Sequence, residues 1–215
     1  PQTLDKRLYL QLQVFTGSNG TGPLVEQAKR SGLEMVLYAN VNDPKGVGAL
    51  ILSEDPAVFA GKARDLYSSE PFAKLTRVPD LTMLGRTYGT GREEDLEDWL
   101  LHHARRNTMN TDWPWAVWYP LRRKSEFYRL PDQEKGKILM EHGMIGRNFG
   151  QAGYAGDVRL ECFGMDQDDN EFVIGVVGLA GYAYLRSSLP VTSGTIELPG
   201  LSAPLDIVRD ADAIP

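Results

Sequence analysis

The chain has 215 residues, 42% of them hydrophobic, a formal charge of −6 and one cysteine. That is apolar material for one large or two small cores, while the acidic balance argues against a general nucleic-acid binder. Cys162 cannot form an intramolecular disulfide, no run approaches the roughly 20 apolar residues of a membrane span, and no basic-then-apolar leader opens the chain, so a cytoplasmic protein without a membrane span is expected.

In chain order, Leu8, Leu10, Leu12 and Val14 alternate with Tyr9, Gln11, Gln13 and Phe15, the period of a strand with two different faces. Gly17 to Gly22 reads as a loop, since it lacks the lysine of a phosphate loop. Pro23 opens a helix to about Arg30, ended by Ser31-Gly32. Leu33 to Val41 and Val47 to Ser53 read as a hairpin across Asn42-Asp-Pro-Lys-Gly46. A helix start at Ser53-Glu-Asp-Pro56 precedes Val58, Phe59, Ala63, Leu66 and Tyr67 at helical spacing, and a strand follows at about Leu81 to Tyr88. The order β-α-β-β-α-β is the ferredoxin-like plan.

Residues 93 to 106 read as a connecting helix whose acidic start is a solvated face favoured by the helix dipole. The second half repeats the plan: a strand at Trp115 to Tyr119, a helix from Asp132 to His142, a hairpin of Asp157 to Phe163 with Glu171 to Val177, a weaker helix at Gly181 to Leu189, and a closing strand between Thr195 and Ile207. The expected fold is α+β, with two tandem ferredoxin-like repeats, residues 1–106 and 107–215, forming a dimeric α/β-barrel-type unit.

The chemistry concentrates between Trp113 and Arg147. Pro131 suits a helix first turn, and the helix then sets Lys135, Ile138, Leu139 and His142 around one face, with Gly143 suiting a helix end. An imidazole on an apolar face, Tyr119 at the end of an aromatic strand, and the cations Arg122, Arg123 and Lys124 together suit a haem whose carboxylates meet the cations. Zinc needs three or four ligands, and adjacent His102 and His103 read as surface residues. Trp113, Trp115 and Trp118 read as core or as rings against a porphyrin.

Tyr119-Pro-Leu-Arg-Arg-Lys124, Phe127-Tyr128-Arg-Leu-Pro131, Met140-Glu-His142-Gly-Met-Ile-Gly-Arg147 and Gly164-Met-Asp-Gln-Asp-Asp-Asn-Glu171-Phe172 resemble the chlorite dismutase and coproheme decarboxylase superfamily. The resemblance is specific over residues 113 to 177. It implies haem b or iron-coproporphyrin III bound in the C-terminal repeat, His142 as axial ligand, and Arg122, Arg123, Lys124, Phe127 and Tyr128 as binding residues. It also implies a homo-oligomer, a pentamer in the family. Tyr119 matches the radical-relay tyrosine of the decarboxylases, although Arg123 stands where their motif has lysine.

The resemblance leaves the distal residue open between Arg159 and Leu160, because extra residues at Phe149 to Tyr154 shift the register and strand neighbours face opposite sides. Arg159 in that place would act catalytically on an anionic oxidant. Tyr119 and the His142-Gly-Met-Ile-Gly-Arg147 motif, which is similar to the decarboxylase version, make peroxide-dependent decarboxylation of iron-coproporphyrin III to haem b the leading expectation. Chlorite dismutation or another haem peroxidase reaction is the alternative, with hydrogen peroxide or chlorite as the small oxidant, and a non-catalytic haem-binding protein or haem-free barrel is the third.

Overall fold

The structure is a computed structural model that describes residues 3–91, 93–162, 165 and 170–178, with the backbone of 193–196 and 205–208. The chain divides into two compact units: Pro1–Met109, Trp118–Arg122 and Val158–Ile174 form one, and Asn110–Val117, Arg123–Asp157 and Gly175–Pro215 the other.

In the first unit, β1 (Tyr9–Thr16) is the central strand. It pairs antiparallel with β3 (Val47–Ser53) from Tyr9↔Ser53 to Phe15↔Val47, and β3 pairs antiparallel with β2 (Met35–Ala39). On its other side β1 pairs with β4 (Thr76–Arg77) and β5 (Met83–Thr87). The order β2-β3-β1-β5 is the ferredoxin-like arrangement the sequence order predicts. Alternation along β1 sorts the two faces. Phe15, with Val47, Ala49 and Ile51 on β3, packs with Leu24, Ala63, Leu66 and Phe72 as one core. Leu8, Leu10, Leu12, Val14, Leu50 and Leu52 on the opposite face are buried as well, so both faces of this sheet are covered.

Helix α1 (Gly22–Ser31) has proline in its first turn and stops at Gly32, whose φ of 65° only glycine adopts cheaply. The next helix starts where predicted, with the Ala57 amide donating to Asp55 Oδ1 at 2.9 Å. It is not continuous, however: Gly61 leaves helical geometry and divides it into α2 (Ala57–Ala60) and α3 (Lys62–Tyr67). The connecting helix also differs from expectation. Glu93 lies outside it, accepting from the Thr90 and Gly91 amides, each at 2.8 Å. A π-helical segment, Asp98–His103, leads into α4 (Ala104–Thr108).

The sheet continues through β7 (Ala155–Glu161), β8 (Phe172–Gly178) and β6 (Trp115–Leu121) in the order β5-β7-β8-β6, with Thr87↔Leu160 pairing β5 to β7. Burial pushes the Tyr38 hydroxyl up to about 12.

In the second unit, α5 (Ser125–Arg129) precedes α6 (Asp132–Gln151). The residue pattern predicts that α6 ends at His142-Gly143. The helix instead runs on to Gln151, because a glycine lowers helix propensity without blocking the backbone as proline does. The extra residues after Phe149 form the last turn and its exit, where Gly153 adopts φ 73°. Gly178 approaches that exit so closely that a Cβ would stand 2.4 Å from the Tyr154 carbonyl oxygen. The predicted helix at Gly181 to Leu189 lies outside the described residues. Where one closing strand was expected there are two, β9 (Ser193–Ile196) and β10 (Leu205–Val208), paired antiparallel.

Candidate functional site

Helix α6 is 20 residues long and buries none of them. At 3.6 residues per turn, Ile138, Leu139, Ile145 and Phe149 fall within about 60° of His142 around its axis. Ile138, Leu139 and Ile145 are 46%, 46% and 49% exposed, and His142 is exposed among them. Water-facing apolar stripes of this kind are unusual on a helix and mark binding surfaces. Lys135 is half-buried on the same face and bonds Asp132 at 2.8 Å.

In the same unit, the Arg123 guanidinium lies 5.2 Å from the centre of the Phe127 ring, and Tyr128 meets Phe127 edge-on at 5.9 Å. Lys124 is exposed just before α5. Arg123 is thereby oriented by an aromatic face, while Lys124 offers a point charge to solvent. In the first unit, Arg122 is exposed and Tyr119 is 37% exposed, with its hydroxyl pushed upward by burial.

Strand β7 decides where Arg159 and Leu160 lie. Val158 and Leu160 are 1% and 2% exposed, and a Cβ on Gly85 would come within 2.7 Å of Leu160 Cβ, so Leu160 is committed to the core. Arg159 lies on the other face with its guanidinium 4.4 Å from the centre of the Trp99 ring. Glu161 bonds Arg86 at 2.7 Å.

The residues around Trp99 escape the sequence reading. Its indole N–H donates to the Tyr88 carbonyl at 3.0 Å, and its ring stacks on His103 at 4.4 Å and 26°. His103, expected on the surface, is half-buried, with Asn107 Nδ2 3.2 Å from its Nε2; His102 is exposed. The four-residue spacing of Trp99 and His103 is the available signal, but the π turn that sets their geometry is not. That turn also presents carbonyls to side chains: Leu100 accepts from the Thr87 hydroxyl at 2.7 Å and Leu101 from Arg105 at 2.6 Å. Among the described residues, no group of three or more His, Cys, Asp or Glu is placed to hold a metal ion, and no helix is long and apolar enough to cross a membrane.

The class the structure defines is an antiparallel α+β fold with a 20-residue helix that exposes an apolar stripe around a histidine. The family comparison is more specific, since the chlorite dismutase family model matches residues 99–177. Among solved structures, a candidate chlorite dismutase superposes with a TM-score of 0.63 at 14% identity, covering 86% of this chain and 85% of its own. A haem-binding protein from Thermus thermophilus gives 0.62 at 17%, covering 85% and 82%. Chlorite dismutase from Candidatus Nitrospira defluvii in complex with imidazole gives 0.60 at 12%, covering 94% and 88%. No curated protein sequence matches. The chain is thus similar to chlorite dismutase family proteins over residues 99–177 and shares the fold of these solved structures.

Proposed function

We propose that this protein binds an iron porphyrin through His142 and is a haem-dependent oxidoreductase that decarboxylates iron-coproporphyrin III to haem b with hydrogen peroxide. The observation that carries the reading is the exposed apolar stripe of α6 centred on His142. The residues fit the group: a neutral imidazole is an iron ligand, and the aliphatic side chains around it suit the face of a macrocycle. A haem-binding structural neighbour supports the same cofactor.

Bound iron porphyrin supplies the oxidising chemistry with peroxide. Each propionic acid reacts as –CH2CH2COOH + H2O2 → –CH=CH2 + CO2 + 2 H2O, so two equivalents of peroxide are consumed for two vinyl groups. Arg122, Arg123 and Lys124 bind the substrate's carboxylates, with Phe127 and Tyr128 beside them. Arg123 can hold a carboxylate bidentately but does not readily give up a proton. Tyr119 gives up a hydrogen atom and relays oxidation to a propionate. Its raised hydroxyl pKa keeps the proton on the phenol at neutral pH.

Ferric coproporphyrin III added to the purified protein, titrated with peroxide and followed by mass spectrometry, should lose two carboxyl groups stepwise. Tyr119→Phe should bind the substrate and leave it intact. Turnover unchanged in that variant would remove the relay from the mechanism.

A second reading, dismutation of chlorite or another haem peroxidase reaction, is favoured by Arg159, whose cation is half-buried and could hold an anionic oxidant. Oxygen release from chlorite that disappears in Arg159→Ala would select it. A homo-oligomer, a pentamer by analogy with the family, belongs to the same proposal, and light scattering of the purified protein reads it directly.

A further inference from the structure

We propose that Trp99 is a positioning residue for Arg159, setting the direction in which its guanidinium donates to an anion; the inference rests on the reading of Arg159 as an anion-holding residue. Every part of the argument lies in the first unit. The Trp99 ring is restrained by the Tyr88 carbonyl that accepts its N–H at 3.0 Å and by His103 stacked at 4.4 Å. Asn107, 3.2 Å from the imidazole Nε2, holds His103 in turn. Core packing alone needs an apolar ring here, but not one restrained by both a hydrogen bond and a stack.

Arg159 lays its guanidinium 4.4 Å from that ring. A guanidinium carries its N–H groups in its own plane, so an aromatic surface under its flat side leaves the edges for an acceptor. Without that surface, the long side chain spreads over several rotamers and loses part of the orientation that makes a fixed cation effective.

The test uses the full chain loaded with ferric haem b, with fluoride as the anionic probe and the visible spectrum as readout. Arg159→Ala should weaken fluoride binding, and Trp99→Leu should weaken it by about tenfold. Trp99→Phe, which keeps a ring but no N–H, should fall between wild type and Trp99→Leu, and a loss in Trp99→Phe carries the test alone if Trp99→Leu fails to fold. In the Arg159→Ala background, Trp99→Leu should add nothing. Fluoride affinity unchanged by Trp99 substitution while Arg159→Ala weakens it, or an equal loss in the Arg159→Ala background, would overturn the inference. An Arg159→Ala variant that binds fluoride like wild type would instead overturn the anion-holding reading beneath it.

Discussion

Thr87 shows how one hydroxyl can tie three elements. It is 3% exposed, accepts from the Leu8 amide at 3.1 Å, and donates to the Leu100 carbonyl at 2.7 Å, joining β5 to the segment before β1 and to the π-helical segment. Thr87→Val keeps the shape but strands a buried donor and acceptor, which should cost roughly 2–4 kcal/mol in urea unfolding. A loss under about 0.5 kcal/mol would show that water or relaxation satisfies both groups. Glu93 makes the corresponding case for charge. Burial raises its carboxyl, but the bonds from the Thr90 amide and hydroxyl and from the Gly91 amide outweigh that and lower it from 4.5 to about 2. A depressed carboxylate contributes stability above its unfolded pKa and loses it as pH falls through the folded value. Glu93→Gln should therefore be less stable than wild type at pH 7, with the difference shrinking between about pH 4.5 and 2. A difference independent of pH would show that the bonds matter without the charge.

At the scale of elements, α6 departs most from ordinary helix design. Four glycines, Gly136, Gly143, Gly146 and Gly150, lie in its 20 residues, and none of its side chains is buried. Each interior glycine costs about 0.5–1 kcal/mol relative to alanine, so packing within this chain does little to offset the deficit. At Gly136 the space a methyl group would take has no neighbour within 4 Å, so Gly136→Ala should stabilise the apo-protein by about that amount, read as an increase in helicity and in the urea midpoint. A loss of stability on that substitution would show that the glycine meets a close neighbour. If the apolar stripe is a porphyrin surface, ligand binding supplies the missing stabilisation through mass action.

For the whole molecule, the β-α-β-β-α-β order was readable because β1 alternates cleanly and Gly and Pro mark the ends of α1 and the β2–β3 hairpin. Shorter-range readings failed where backbone geometry rather than residue type decides. Gly61 splits a helix that apolar spacing makes continuous, and α6 passes through Gly143 because glycine weakens a helix without ending it. Two strands, β9 and β10, stand where one was expected, since Pro199 and Pro204 leave the limits of a strand uncertain in the residue pattern. The layout of the candidate residues was legible in part. The shared helix face of His142 and its apolar neighbours follows from helical spacing, whereas the placing of Leu160 in the core needed its pairing with Thr87, a contact across 73 residues of sequence. The contacts of Trp99 were not legible because they depend on the π turn. The most direct test of the central claim is a titration of the apo-protein with ferric coproporphyrin III, following the Soret band and the iron–histidine vibration in the reduced state, for wild type and His142→Ala. Tight binding with an iron–histidine band that disappears in His142→Ala is the predicted result, and the same band and affinity in both proteins would contradict it.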